Sequence, residues 1–213
     1  MSNPFHDLLV FFQKGTLHGK FPLYALLLLL VASVVIALFS FIKNSEQRTV
    51  QNIYLWLARF FAGGMWYQQM LWKMPPTFTD NPDGSGGLGY WMGEMVQYAA
   101  FKPHSSMVNN VMLPNFGFFA FQVWAAETFI AVSLLLGLFT RLGGLVAMLM
   151  ATNLWLGLYN RPHEWPWAYF FLILLSGFFF IFRAGRALGL DALTAPRTAP
   201  AGGFLRRLHW WIS

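Results

Sequence analysis

Residues 57–74 read LARFFAGGMWYQQMLWKM, a run apolar enough for a membrane helix that nevertheless holds Arg59 near its start and Lys73 near its end. Arg59, Trp66 and Lys73 recur every seven residues, which places them on one face of a helix. An ionisable side chain in hydrocarbon costs at least about 2.5–3.5 kcal/mol, so one retained there has a partner or a use. A second segment, ETFIAVSLLLGLFTR at 127–141, sets Glu127 deep in another apolar helix and Arg141 at its end.

The whole chain fits that reading. It is 57% hydrophobic, 19% aromatic and 10% charged over 213 residues, whereas a soluble domain carries about 25% charged residues. An all-α integral membrane protein follows, with room for four to six helices at about 20 residues each. Zero cysteines exclude a disulfide frame, a thiolate nucleophile and cysteine-ligated zinc or iron–sulfur. The formal charge of +6 sits in short loops and the C-terminal tail, a membrane-protein pattern rather than a nucleic-acid one.

Five spans are expected. The first, 21–42, is too long for the apolar region of a signal peptide and lacks a cleavage pattern. The second runs over 53–74 and is stopped by Pro75-Pro76. The third, fourth and fifth cover about 115–140, 142–158 and 165–182. With the C-terminus inside, the inner segments hold eight Lys and Arg residues and the outer ones five, with Arg59 in the membrane. The charge rule then gives an N-out, C-in topology, and the 75–114 connection lies outside.

In that connection, LGYWMGEMVQYAAF reads as a short interfacial helix capping the bundle. The N-terminal NPFHDLLVFF, with Asn3 as N-cap, and the C-terminal FLRRLHWW read as further interfacial segments. Gly143, Ala147 and Ala151 fall four apart, and Ala62, Gly63 and Gly64 form a second notch; both suit close helix packing in lipid.

Helix two reads Arg59-x3-Gly63-x9-Lys73 and helix three Glu127-x9-Gly137-x3-Arg141, and the last apolar helix is followed by Gly189-Leu190-Asp191. In order and spacing these resemble the DoxX-like membrane proteins, which include the DoxD small subunit of thiosulfate:quinone oxidoreductase. The resemblance covers roughly 53–193 and implies an antiparallel four-helix bundle there. Outside it lie an interfacial segment at 1–20, an extra transmembrane helix at 21–42 and a basic tail at 194–213. Gly63, Gly137, Arg141 and Asp191 are its structural motif residues, and Glu127, Arg59 and Lys73 its candidate catalytic ones. Family members often carry His-Gly where this chain has Gln69-Met70, so no histidine role transfers there. No histidine falls in a span, which excludes bis-histidine haem in this chain, and His104 and His163 read as solvated loop residues rather than a metal site.

A rise of about 1.5 Å per residue puts Glu127 roughly 20 Å from the inner end of its helix, near the height of Gln68, Gln69 and Asn153. Arg59 lies only about 9 Å from the inner end, where it snorkels or meets Asp191, and Lys73 snorkels at the outer interface. Glu127 has two readings. Either it exchanges a proton with a quinone held among Trp66, Tyr67, Gln69, Trp124 and Asn153, or it is a hydrogen-bonded tie between helices. Two functions follow accordingly: a membrane subunit of a quinone-linked system oxidising a small, sulfur-type reductant in the cytoplasmic membrane, or a non-catalytic anchor subunit of a larger respiratory or photosynthetic complex. Both imply lipid and protein partners. Quinone is the cofactor the resemblance implies, with no haem, iron–sulfur or metal expected.

Overall fold

The computed structural model describes residues 19–81, 83, 86–195 and 203–213, with isolated positions 3, 6 and 10. Its described elements are helical. Of the N-terminal interfacial segment, the Asn3 side chain accepts from the His6 N–H at 2.9 Å, as an N-cap does, and most of the rest lies outside the described residues.

Helix α1 (Phe21–Lys43) carries Pro22 in its first turn, where the missing amide hydrogen costs nothing. Its face toward the protein holds Leu23, Leu26, Ser33, Ala37 and Ser40. Leu28, Val31, Val35 and Ile42 are exposed, a surface suited to lipid. Ser33 accepts from the Trp56 indole at 3.2 Å, so a polar residue that water would solvate is satisfied across the helix pair.

Helix α2 (Val50–Leu71) begins one turn before the expected residue 53, because the Thr49 side chain caps the Asn52 N–H at 3.2 Å. It ends three residues before the expected 74, ahead of Pro75-Pro76. Next come α3 (Gly87–Tyr98), α4 (Lys102–Met107) with a π-helical turn over Val108–Met112, α5 (Phe116–Leu136), α6 (Thr140–Gly157) and α7 (Pro166–Ile181). Short helices α8 (Leu190–Thr194) and α9 (Phe204–Ile212) close the described chain.

Helices α2, α5, α6 and α7 pack in sequence, and α1 lies against α2 and α5. Among the described residues, two helices, α1 and α5, are long and apolar enough to cross a bilayer, and α7 is apolar but shorter. Small residues set the contacts. A Cβ on Gly63 would sit 2.8 Å from the Leu135 side chain, and one on Gly143 would sit 2.2 Å from Ser133 Oγ. Ala147 and Ala151 are fully buried on the Gly143 face. Gly64, expected in the same notch as Gly63, meets nothing within 4 Å and faces outward.

The helix expected to cap the bundle is α3, and one face of it packs into the protein. Leu88, Met92 and Met95 form a second core with Val108, Ala120 and Leu158. The Ala100 N–H donates to the Leu156 carbonyl at 2.7 Å and the Asn160 N–H to the Tyr98 carbonyl at 3.0 Å, stitching this cap to the end of α6.

Candidate functional site

Two buried ionic centres lie toward opposite ends of α2. At one, Arg59 is 0% exposed and donates to three carbonyls: Leu134 at 2.6 Å, Ala184 at 2.9 Å and Ala187 at 2.9 Å. Gly137 turns the chain with a left-handed φ of +66°, and a Cβ there would lie 2.7 Å from Arg59 Nη1. Asp191 accepts from the Phe139 N–H at 2.9 Å, the Thr140 N–H at 3.0 Å and the Thr140 hydroxyl at 2.9 Å. Burial pushes its carboxyl above the usual carboxylate range, while the Thr140 and Phe139 donors and Arg59 oppose that shift.

This knot ties α2, the α5–α6 turn and the segment after α7. Neither alternative expected for Arg59 describes it fully. The guanidinium meets carbonyls instead of snorkelling, and Asp191 feels its charge while hydrogen-bonding the next turn. Of the residues named as catalytic, Arg59 stands apart from the other two, Lys73 and Glu127.

At the other end, Lys73 donates to Glu127 Oε1 in a buried ion pair, the two residues being 5% and 1% exposed. Lys73 therefore turns inward rather than snorkelling. Its ammonium also lies 4.4 Å from the Trp72 ring centroid. Among the described residues, neither the buried Glu127 Oε2 nor Trp124 Nε1 has a hydrogen-bond partner.

The pair opens on a cavity of about 520 Å³. Trp66, Gln69, Lys73, Glu127 and Asn153 line it, joined by Trp72 and by Trp91, Met92 and Met95 of the cap. Gln68 points outward and is exposed. Tyr67 faces α1 instead, its hydroxyl donating to the Pro22 carbonyl at 2.8 Å, and Trp124 lies in the packing between the two cores. Asn153 Oδ1 lies 3.0 Å from His104 Nε2, so His104 is drawn inward from the expected solvated loop, whereas His163 is exposed. Among the described residues no cluster suited to a metal occurs.

The sequence reading placed the cap over the bundle but missed its share of the cavity wall and its fastening. Arg161 binds Glu94 at 2.7 Å and Glu164 at 3.0 Å, and it stacks on Trp91 at 4.5 Å. Tyr169 donates to Glu164 at 3.0 Å. Hydrogen bonds to Glu94 and Tyr90 push the Arg161 guanidinium above its ordinary value. The Glu94–Arg161 pairing has no periodic signal, because its residues lie on different elements, and Arg161 and Glu164 pair within the loop before α7, where no helical period applies.

An all-helical membrane protein with a lysine–carboxylate pair walled into an apolar cavity defines the class. The family model described as TQO small subunit DoxD matches residues 53–202, and the chain belongs to that family. No curated protein and no solved structure matches the chain.

Proposed function

We propose that the protein is the membrane subunit of a quinone-linked oxidoreductase, with the cavity beside Lys73 and Glu127 holding the quinone ring. One observation carries the reading: a buried carboxylate with one oxygen paired to Lys73 and the other without a protein donor faces an apolar space of ring size. A quinol O–H is a donor of the right kind for Oε2. Trp66 and the methionines supply flat or adaptable apolar walls, and Gln69 and Asn153 supply amides for the quinone carbonyls. Reducing a quinone to a quinol takes two electrons and two protons. In this scheme two protons taken from water pass to the ring by way of Glu127 and Lys73, while two electrons come from a small reductant, thiosulfate as the DoxD resemblance implies, through a partner subunit.

The chain then crosses the cytoplasmic membrane five times, N-out and C-in, with 53–193 as the four-helix domain and α1 added before it. The cap formed by 75–114 faces outward, on the side of the reductant. The test is decylquinone reduction by thiosulfate, followed with the purified protein alone and with its copurifying partners. Glu127→Gln should keep the fold, because the amide oxygen still accepts from Lys73, and should lose quinone-linked turnover or its pH dependence. A folded, partner-bound Gln variant with unchanged turnover would overturn the proposal.

The same ion pair favours a second reading, an anchor subunit without catalysis, because Lys73 to Glu127 also ties the end of α2 to α5. Under that reading decylquinone does not bind, Gln at 127 is silent, and Glu127→Leu costs assembly.

A further inference from the structure

Arg141, Arg183 and Arg186 gather at the end of the bundle away from the cavity. Arg141 opens α6, the other two follow α7, and α9 brings its aromatic residues against them. The Arg141 guanidinium lies 4.9 Å from the Phe180 ring centroid and 5.3 Å from that of Trp211. Arg183 lies 3.9 Å from the Trp210 ring centroid. Ring faces attract a cation but accept no strong N–H hydrogen bond.

Among the described residues, neither the Arg141 nor the Arg183 side chain makes a hydrogen bond or an ion pair. Arg141 Nε, His209 Nε2 and Trp210 Nε1 are buried without partners. Burial, and then the charges of Arg186 and Arg141, hold the Arg183 guanidinium below its ordinary value. Arg186 beside them donates to the Ser213 hydroxyl at 3.2 Å and feels Asp191, whose oxygens are engaged by Phe139 and Thr140. The Arg141 and Arg183 guanidiniums are thus held beside buried nitrogens that have no acceptor among the described residues, an arrangement that an anion completes.

We propose that Arg141 and Arg183, flanked by His209 and Trp210 of α9, bind a phosphate-bearing anion, supplied by the headgroup of an anionic membrane lipid. Guanidinium forks match phosphate oxygens two at a time, which selects phosphate over a simple halide. The lipid source follows from what surrounds the site. Phe204, Leu205 and Leu208 of α9 are exposed beside Arg206 and Arg207, an interfacial pattern, and Ile181 and Phe182 offer an exposed apolar path for acyl chains.

The test uses the full chain, delipidated in zwitterionic detergent, with thermal stability followed as dioleoylphosphatidylglycerol, dioleoylphosphatidylcholine or inorganic phosphate is added. Phosphatidylglycerol should stabilise it saturably and phosphatidylcholine should not. The double variant R141Q/R183Q should weaken the phosphatidylglycerol response about tenfold or more, the equivalent of one charge-assisted hydrogen bond. The equally charged change R206Q/R207Q on exposed positions should leave most of the response. Saturation by inorganic phosphate at similar concentration would support the anion site with a soluble source.

Equal losses in the two double variants would overturn the proposal, because general surface attraction would then explain them. Absence of any phosphatidylglycerol response in the native chain would overturn it as well. Should R141Q/R183Q not fold, R141K/R183K keeps the charge and removes the forks; an undiminished response there would overturn fork recognition. Phosphorus assay of lipid retained by the native chain gives a reading without any variant, and retention of no anionic lipid would again count against the site.

Discussion

Lys73 and Glu127 show how burial changes what a single residue does. Exposed at an interface, a lysine ammonium is solvated and its carboxylate partner contributes little. Buried, each makes the other tolerable, and removing one leaves a naked charge. Lys73→Met should therefore destabilise the fold by about 3–5 kcal/mol, measured as denaturation in detergent. The double variant K73M/E127L should recover most of that loss, since apolar groups of similar volume replace a buried pair at little cost. Additive losses would show that the two residues act independently. Gly137 makes a similar point in the backbone: its φ of +66° and the nearness of Arg59 leave no room for a side chain. Gly137→Ala should lower stability by more than the roughly 1 kcal/mol of a conformational penalty alone.

At the scale of elements, the helix bounds were largely legible. The expected spans match α1, α2, α5, α6 and α7 to within a few residues, the widest gap being at α5, which ends at Leu136 rather than near 140 because Gly137 turns the chain with a left-handed φ. The small-residue face of α6 was legible too, because four-residue spacing in an apolar helix has few other uses. Gly143→Leu should destabilise the protein by at least about 1–3 kcal/mol, the range for overpacking, as Leu would collide with Ser133 of α5. Unchanged melting would place that face toward lipid.

The capping helix was legible as such, but its inward contacts were not. Its aromatic residues match the composition of a surface helix, and only tertiary contacts reveal that Leu88, Met92 and Met95 turn inward. Lys73 was misread for a related reason. Past the end of a helix, periodicity no longer tells where a side chain points. The heptad from Arg59 through Trp66 did nonetheless mark the face of α2 that meets α5. Because the chain has no cysteine, Met95→Cys provides a reporter for the cap. It should react slowly with an aqueous maleimide, and severalfold faster once Arg161→Ala releases Glu94 and Glu164; equal rates would show that Arg161 does not fasten the cap.

For the molecule as a whole, the two ionic centres and the arginine cluster give the bundle a direction. The cavity, the cap and the Lys73–Glu127 pair sit at one end, and Arg59, Asp191 and the arginines around α9 at the other. Positive loop residues resist translocation, so the arginine-rich end should be cytoplasmic and the cavity end extracytoplasmic. Single cysteines at Asn81 and at Arg206 in whole cells test this directly. A membrane-impermeant maleimide should label position 81 in intact cells and position 206 only after the membrane is opened. The reverse pattern would invert the charge reading and place the cavity on the cytoplasmic side, where a reductant oxidised outside could not reach it. It would also put the arginine cluster in the leaflet facing away from the cytoplasm. Labelling of both positions in intact cells would require an even number of crossings between them, and the helix count from α5 to α7 would then be wrong by one.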